Sequence, residues 1–175
     1  MSLTPAVGPH DHSEGLPDAP VTLVEYGDYE CPYCGEAYPE LKAVQRLMGD
    51  RLRFVFRNFP LTEAHPHAAH AAAMAEAAAG IGKFWEMHDM LYEHQGALDD
   101  RSLTRYGTIV GLTMGQIEQA LSGAHDEVLR RDFMSGLRSG VNGTPALFIN
   151  GQRYDGSRDA DSLVEVLRAV ARDVA

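Results

Sequence analysis

Cysteine is almost missing from this chain: two occur among 175 residues, both inside "YGDYECPYCGEAYPE" (26–40). A single pair cannot make the disulfide framework of a small secreted scaffold, and a chain this long builds a core without covalent staples. Positive charge is also scarce. Fifteen Lys and Arg stand against 25 Asp and Glu, a formal net charge of −10, which excludes the electropositive footprint that a nucleic-acid partner requires. No run approaches the ~18 consecutive apolar residues of a membrane span, so no membrane insertion is expected. The first twenty residues, "MSLTPAVGPHDHSEGLPDAP", have neither a basic start nor an apolar run, and do not read as a secretory leader. As written, the chain is expected in the cytoplasm, with export behind a missing leader as the alternative. Hydrophobic residues make up 45%, enough for one folded core.

The lead-in, 1–20, carries several Pro and Gly and no hydrophobic period, and is expected to drape over the surface. "VTLVEYG" (21–27) is β-branched and apolar, which predicts a buried strand. The spacing then predicts a helix from about Pro32 to Met48. Pro32 suits the first helical position, Leu41, Val44 and Met48 mark an apolar face, and Pro39 is expected to kink the helix. "RLRFVFRNF" (51–59) is the next strand, and a strand–helix–strand unit is normally parallel with a right-handed crossover. Between 63 and 139 nothing reads as a strand. "HPHAAHAAAMAEAAAG" is a strong helix former ending at Gly80. Phe84, His88, Leu91 and Tyr92 recur at helical spacing. Further helices are expected near 101–110, over 114–122 behind a Thr113/Gln116 capping box, and over 124–138. "PALFING" (145–151) and "QRYDG" (152–156) read as a hairpin about Asn150–Gly151, and an amphipathic helix follows over about 160–173, with Leu163, Leu167 and Val170 on its apolar side. The class is α/β, ordered βαβ, helical insert, ββα. The α/β domain spans 21–62 and 140–175, and the all-helical insertion spans 63–139.

Cys31 and Cys34 lie at the strand-to-helix junction. Unpaired N–H groups there carry partial positive charge and favour a thiolate at Cys31. Cys34, one turn further in, is more shielded. Two intervening residues let the sulfurs meet within one turn, so Cys31 is expected to attack a disulfide and Cys34 to resolve the mixed disulfide. A zinc half-site would need two further ligands, and there is no third Cys. A structural disulfide would close a very small loop for little entropic gain. Neither a metal nor an organic cofactor is expected.

Glu25 is a carboxyl group in an otherwise apolar strand, six residues before Cys31. Burying a charge is costly, so it is expected to hold or pass a proton, exchanging it with Cys34 during resolution; the alternative is that strand twist takes it to solvent or to an Arg. Pro145, after Gly143 and Thr144, sits where a strand begins. It is either a cis turn that leaves the Thr144 backbone to pair with an extended substrate, or an ordinary trans proline at a strand edge. Asp28 and Glu30 are expected to be solvated, their charge opposing the thiolate, and Tyr33 adds no cation between the cysteines. That combination predicts a less oxidising couple than one with a positive charge in the middle. His65, His67 and His70 raise a metal site as an alternative to decorating a helix face. Trp85 reads as core, and His10 and His12 as part of a flexible tail.

"EYGDYECPYCG", "RFVFRNFPL", "HPHAAHAAAMAEAA", "KFWEMHDMLY" and "VNGTPALFING", in this order, resemble the DsbA-like thioredoxin-fold oxidoreductases. The branch is the one with Gram-positive disulfide-bond proteins and the domain fused to some sodium/proton antiporters. The resemblance covers nearly the whole chain from about His10. It implies a thioredoxin fold with a helical insertion, a nucleophilic Cys31, a resolving Cys34, a cis-proline loop at Thr144–Pro145 and a buried acid at Glu25. Gly143, Pro32 and Tyr33 are then candidates for substrate contact beside them. The best-known oxidases carry His between the cysteines, whereas Pro32–Tyr33 is also the glutaredoxin dipeptide, and "RSLTRYGTIVGLTMGQIEQAL" is looser than the family wording. The implied activity is disulfide exchange with protein or peptide thiols, recycled by an unidentified redox partner. The alternatives are a non-catalytic peptide or adaptor module and a glutathione-linked enzyme on the same fold.

Overall fold

The structure, a computed structural model, describes residues 1–173. Its strands are β1 (His12–Glu14), β2 (Val21–Gly27), β3 (Leu52–Asn58), β4 (Ala146–Ile149) and β5 (Gln152–Tyr154), joined in one sheet of order β1-β3-β2-β4-β5. β2 lies in the middle, and every residue but Thr22 is buried. A strand covered on both faces reads as a continuous apolar run rather than an alternation, which is why "VTLVEYG" lacks a polar face. The one carboxyl within it, Glu25, is buried at 2% exposure and lies opposite Leu147 of β4. β4 and β5 are antiparallel, with Ile149 opposite Gln152. The two residues between them, Asn150 and Gly151, have φ of 45° and 81°, the paired positive values of a type I′ turn. The Asn150 side chain also accepts a hydrogen bond from the Thr22 amide at 2.7 Å.

One compact unit of the chain holds Met1–Gly27, Glu36–Arg57 and, among the described residues, 135–173. It contains the sheet, most of α1 (Pro32–Met48) and α7 (Ala160–Asp173), whose Leu163, Val164 and Leu167 are buried. The lead-in differs from expectation. It supplies the edge strand β1, which pairs antiparallel with β3 through His12 and Phe56, Ser13 and Val55, Glu14 and Phe54. His12 is therefore a strand residue, not part of a tail. Further upstream, the Leu3 amide donates to the Gly151 carbonyl at 2.8 Å, and Met1 accepts from the Arg153 amide at 3.0 Å. The cause is Arg57, a cation 3% exposed within β3. Its guanidinium meets the Asp11 carboxylate at 2.7 and 3.0 Å, the carbonyls of Pro5 and Ala6, and the Tyr26 hydroxyl at 2.9 Å. A buried charge must be paired and hydrogen-bonded, and polar pairing of this kind leaves no hydrophobic period in the sequence.

The second unit holds Asp28–Gly35 and Asn58–Met134. The stretch carrying both cysteines thus clusters with the helices, and the unit begins a few residues ahead of the expected insertion at 63. Its helices are α2 (Ala68–Ala79), α3 (Phe84–Glu93), α4 (Asp100–Val110), α5 (Met114–Leu121) and most of α6 (Asp126–Arg138). α2 packs against α3, α4 and α5. Its alanines lose no side-chain entropy and let neighbours approach closely, so nearly the whole helix is buried. Close approach shows at Gly107 of α4, where a Cβ would lie 2.6 Å from Met74 Cε and 2.9 Å from Ile117 Cγ1. α5 opens on the expected capping box between Thr113 and Gln116. A polar knot lies within this unit: the Asn58 amide donates to Asp132 at 3.1 Å, and its side chain donates to Glu76 at 2.8 Å. Among the described residues no helix is long and apolar enough to cross a membrane.

Candidate active site

Cys31 stands one residue ahead of α1, whose first residue is Pro32. Its amide donates to the Asp28 carbonyl at 3.1 Å, closing a turn, and its carbonyl accepts from the Gly35 amide at 3.1 Å. Cys31 is therefore the residue that caps the helix, at the positive end of the aligned peptides. Cys34 lies in the first turn. Both are buried, and exposure falls from 3% at Cys31 to none at Cys34, as expected for a second cysteine one turn further in. Pro32 is exposed, and Tyr33 is 62% exposed beside them.

The turn before Cys31 is anchored residue by residue. Asp28 is 1% exposed, not solvated as expected. Its carboxylate accepts from the Glu30 amide and the Leu61 amide, both at 2.8 Å, and from Nδ1 of His65 at 2.7 Å. Tyr29 is buried, with its hydroxyl 3.0 Å from Nδ1 of His88 and its ring 4.9 Å from that of Tyr92. Glu30 is half-buried and accepts from the His67 amide at 2.6 Å. Gln95, just past α3, spans the turn from the other side. Its Nε2 donates to the carbonyls of Tyr29 at 2.9 Å and Cys31 at 2.8 Å. Any side chain at Gly35 would run into the Gln95 amide, so this approach requires glycine there.

The histidines at 65, 67 and 70 go separate ways. His65 binds Asp28, and His70 binds Asp100 at 2.6 Å on the exposed surface. Among the described residues no group of three or more His, Cys, Asp or Glu could hold a metal ion. Burial lowers the basicity of His65, but the hydrogen bond and charge of Asp28, with the charges of Cys31 and Glu30, outweigh it and hold the imidazole above its ordinary 6.5. Trp85 is half-buried, edge-on to Phe84 and His88.

In the first unit, the Thr144–Pro145 bond is cis and immediately precedes β4. Gly143, Thr144 and Pro145 are half-buried, and a Cβ at Gly143 would meet nothing within 4 Å. Asp28, His65 and Gln95 are the residues that sequence reasoning passed over as parts of the site. Two acids beside a cysteine are visible in the sequence, but their burial depends on partners at 61, 65 and 67 that no local pattern links to them. Nothing local marks Gln95.

Comparison with known proteins agrees with this architecture. A family model described as thioredoxin matches residues 8–169. A thioredoxin-like oxidoreductase from Silicibacter pomeroyi superposes with a TM-score of 0.83 at 26% identity, covering 96% of this chain and 95% of that one. Oxidised BdbD from Bacillus subtilis superposes with a TM-score of 0.80 at 21% identity, covering 91% and 92%. In sequence the chain is 42% identical over 173 residues to the Na(+)/H(+) antiporter NhaA 1 of Mycobacterium sp. (strain KMS); that match covers 97% of this chain and 28% of the antiporter. The chain thus spans little more than a quarter of that relative's length. The matches bear out the resemblance to the DsbA-like proteins and their antiporter-associated branch.

Proposed function

The chain belongs to the thioredoxin family, and from that premise we propose that it is a thiol–disulfide oxidoreductase acting on protein or peptide thiols through the Cys31–Cys34 pair. The Cys31 thiolate attacks one sulfur of a substrate disulfide, forming a mixed disulfide and releasing the first substrate thiolate. The Cys34 thiolate then attacks the Cys31 sulfur, releasing the second. The substrate gains two electrons, and the protein keeps a Cys31–Cys34 disulfide. The reverse sequence inserts a disulfide into a reduced substrate. An external redox partner resets the pair, and no metal or organic cofactor enters.

The observation that carries this reading is the placement of Cys31 as the cap of a 17-residue helix with Cys34 one turn inside it. Such a position favours the thiolate, the attacking form. Glu25, buried in β2, is assigned the proton that Cys34 gives up on resolution. The loop Gly143–Thr144–Pro145 is assigned to substrate backbone, as an added strand ahead of β4. Pro32 and Tyr33, exposed beside the cysteines, are likewise assigned to substrate contact. Sodium/proton antiport is the named activity of those relatives as whole proteins, of which this chain matches little more than a quarter.

The test is insulin reduction by dithiothreitol, and refolding of a reduced, unfolded ribonuclease in glutathione buffer. Cys31→Ser abolishes both, and Cys34→Ser accumulates mixed disulfide. Equal rates in wild type and Cys31→Ser remove the proposal. A peptide-binding module would keep its affinity in Cys31→Ser without turnover, and a glutathione-linked enzyme would make Cys34 dispensable.

A further inference from the structure

Three hydrogen bonds fasten the segment 61–67 to the turn that carries Cys31: Leu61 amide to Asp28, His65 Nδ1 to Asp28, and His67 amide to Glu30. Two involve backbone and fix where the segment lies. The third orients a side chain. A carboxylate can only accept, so Nδ1 of His65 is the donor and its other ring nitrogen is left to carry or lose a proton. Asp28 simultaneously accepts the Glu30 amide, and its carbonyl accepts the Cys31 amide. One buried carboxyl residue therefore shapes the turn before the nucleophile and holds an imidazole at 18% side-chain exposure, open to exchange protons with water. The acids at 28 and 30 would oppose a thiolate at Cys31 if they stood alone. They do not stand alone, because the Asp28 charge is spent on an imidazole.

We propose that His65, oriented by Asp28, is a positioning residue for the thiol chemistry: as an imidazolium it sustains the Cys31 thiolate, and it makes the reactivity of the pair depend on pH. This rests on the oxidoreductase reading above. The groups acting on His65 are Asp28, Cys31 and Glu30, all negative when ionised, and each favours its cationic form against the opposing effect of burial. The coupling is mutual, so whatever Cys31 does for the imidazolium, the imidazolium does for the thiolate. The two groups then titrate as a pair. The lower step forms the thiolate–imidazolium pair, and the upper step removes the imidazole proton.

The experiment reads the thiol, not turnover. Iodoacetamide alkylation of reduced protein is followed from pH 4 to 10 in wild type and His65→Gln. Wild type gives two inflections. His65→Gln gives one, moved to higher pH, and at any pH below both midpoints its rate falls about tenfold for each unit of that move. Superimposed profiles overturn the proposal. A second measurement does not depend on the variant at 65. The His65 ring protons are titrated by NMR in reduced wild type and in Cys31→Ser, and the midpoint drops when the sulfur is replaced. An unchanged midpoint also overturns the proposal. Either failure leaves the insulin and refolding tests standing, whereas loss of Cys31 dependence in those tests removes the premise.

Discussion

Gln95 holds two main-chain carbonyls of the turn at Cys31 with one amide nitrogen, while the rest of its side chain occupies space that Gly35 leaves open. Gln95→Leu keeps the bulk and removes the donor. The Cys31 carbonyl retains its bond from Gly35, but the Tyr29 carbonyl loses its side-chain donor, so the expected cost is about 1–3 kcal/mol in urea denaturation. Gly35→Ala forces the Gln95 amide aside and breaks the same two bonds. If that is the mechanism, the two changes are coupled: Gly35→Ala costs less in a Gln95→Ala background than in wild type, and strictly additive costs would refute it. The placement of Cys31 and Cys34 at the start of α1 was legible because it is written in four consecutive residues. Gln95 is 64 residues from the carbonyl it holds, and His65 is 37 from Asp28. A role created by a partner at that distance has no local pattern. The expectation of solvated acids at 28 and 30 failed for the same reason.

At the scale of elements, the sequence was legible wherever the deciding force was local. The Thr113/Gln116 box, the Asn150–Gly151 turn and Pro32 at the first position of α1 each fix a boundary through their own backbone geometry. β1 was not legible, since three half-buried residues form a strand only because β3 offers its edge. In the helical unit, Gly107→Ala sets two effects against each other. Helix propensity gains about 1 kcal/mol. The added methyl meets Met74, whose end can swing away, but also Ile117 at 2.9 and 3.0 Å, and overpacking costs about 1–3 kcal/mol. A lower melting temperature is expected, and a higher one would mean that α4 and α5 separate without penalty. Asp132 gives a pH signature. Burial pushes its carboxyl up, with Glu76 adding to that and the Asn58 amide and Arg131 opposing. A folded-state value above the unfolded 3.8 means its stabilising contribution is complete below 3.8 and is lost as pH rises through the folded value. Asp132→Asn cannot ionise, yet its carbonyl still accepts from Asn58. It should melt above wild type at pH 7, with the gap closing on acidification; a gap that widens toward acid contradicts the assignment.

Across the whole molecule, the largest structural commitment that the sequence conceals is the use of the first fourteen residues. A stretch rich in Pro and Gly with no apolar period looks dispensable. In the folded chain it contributes an edge strand and, among the described residues, the Asp11 carboxylate and the Pro5 and Ala6 carbonyls that face the Arg57 guanidinium together with the Tyr26 hydroxyl. Arg57 and Asp11 are 3% and 10% exposed, so breaking the pair leaves a charge that water cannot reach. Removing one member of a buried pair costs about 3–5 kcal/mol, whereas replacing both with apolar residues of similar volume is often neutral. Asp11→Ala is therefore expected to lose about 3–5 kcal/mol, and Asp11→Leu with Arg57→Met to recover most of that loss. Guanidinium denaturation of the three proteins measures it. The recovery separates two explanations of a destabilised Asp11→Ala. If the lead-in matters through the carbonyls of Pro5 and Ala6 that Arg57 also binds, the double variant loses those bonds and stays as unstable as the single one. If the uncompensated charge is the cause, deleting the charge relieves it. An Asp11→Ala protein within about 0.5 kcal/mol of wild type, the range of ordinary surface changes, would mean that neither explanation holds and that the strand pairing alone secures the lead-in.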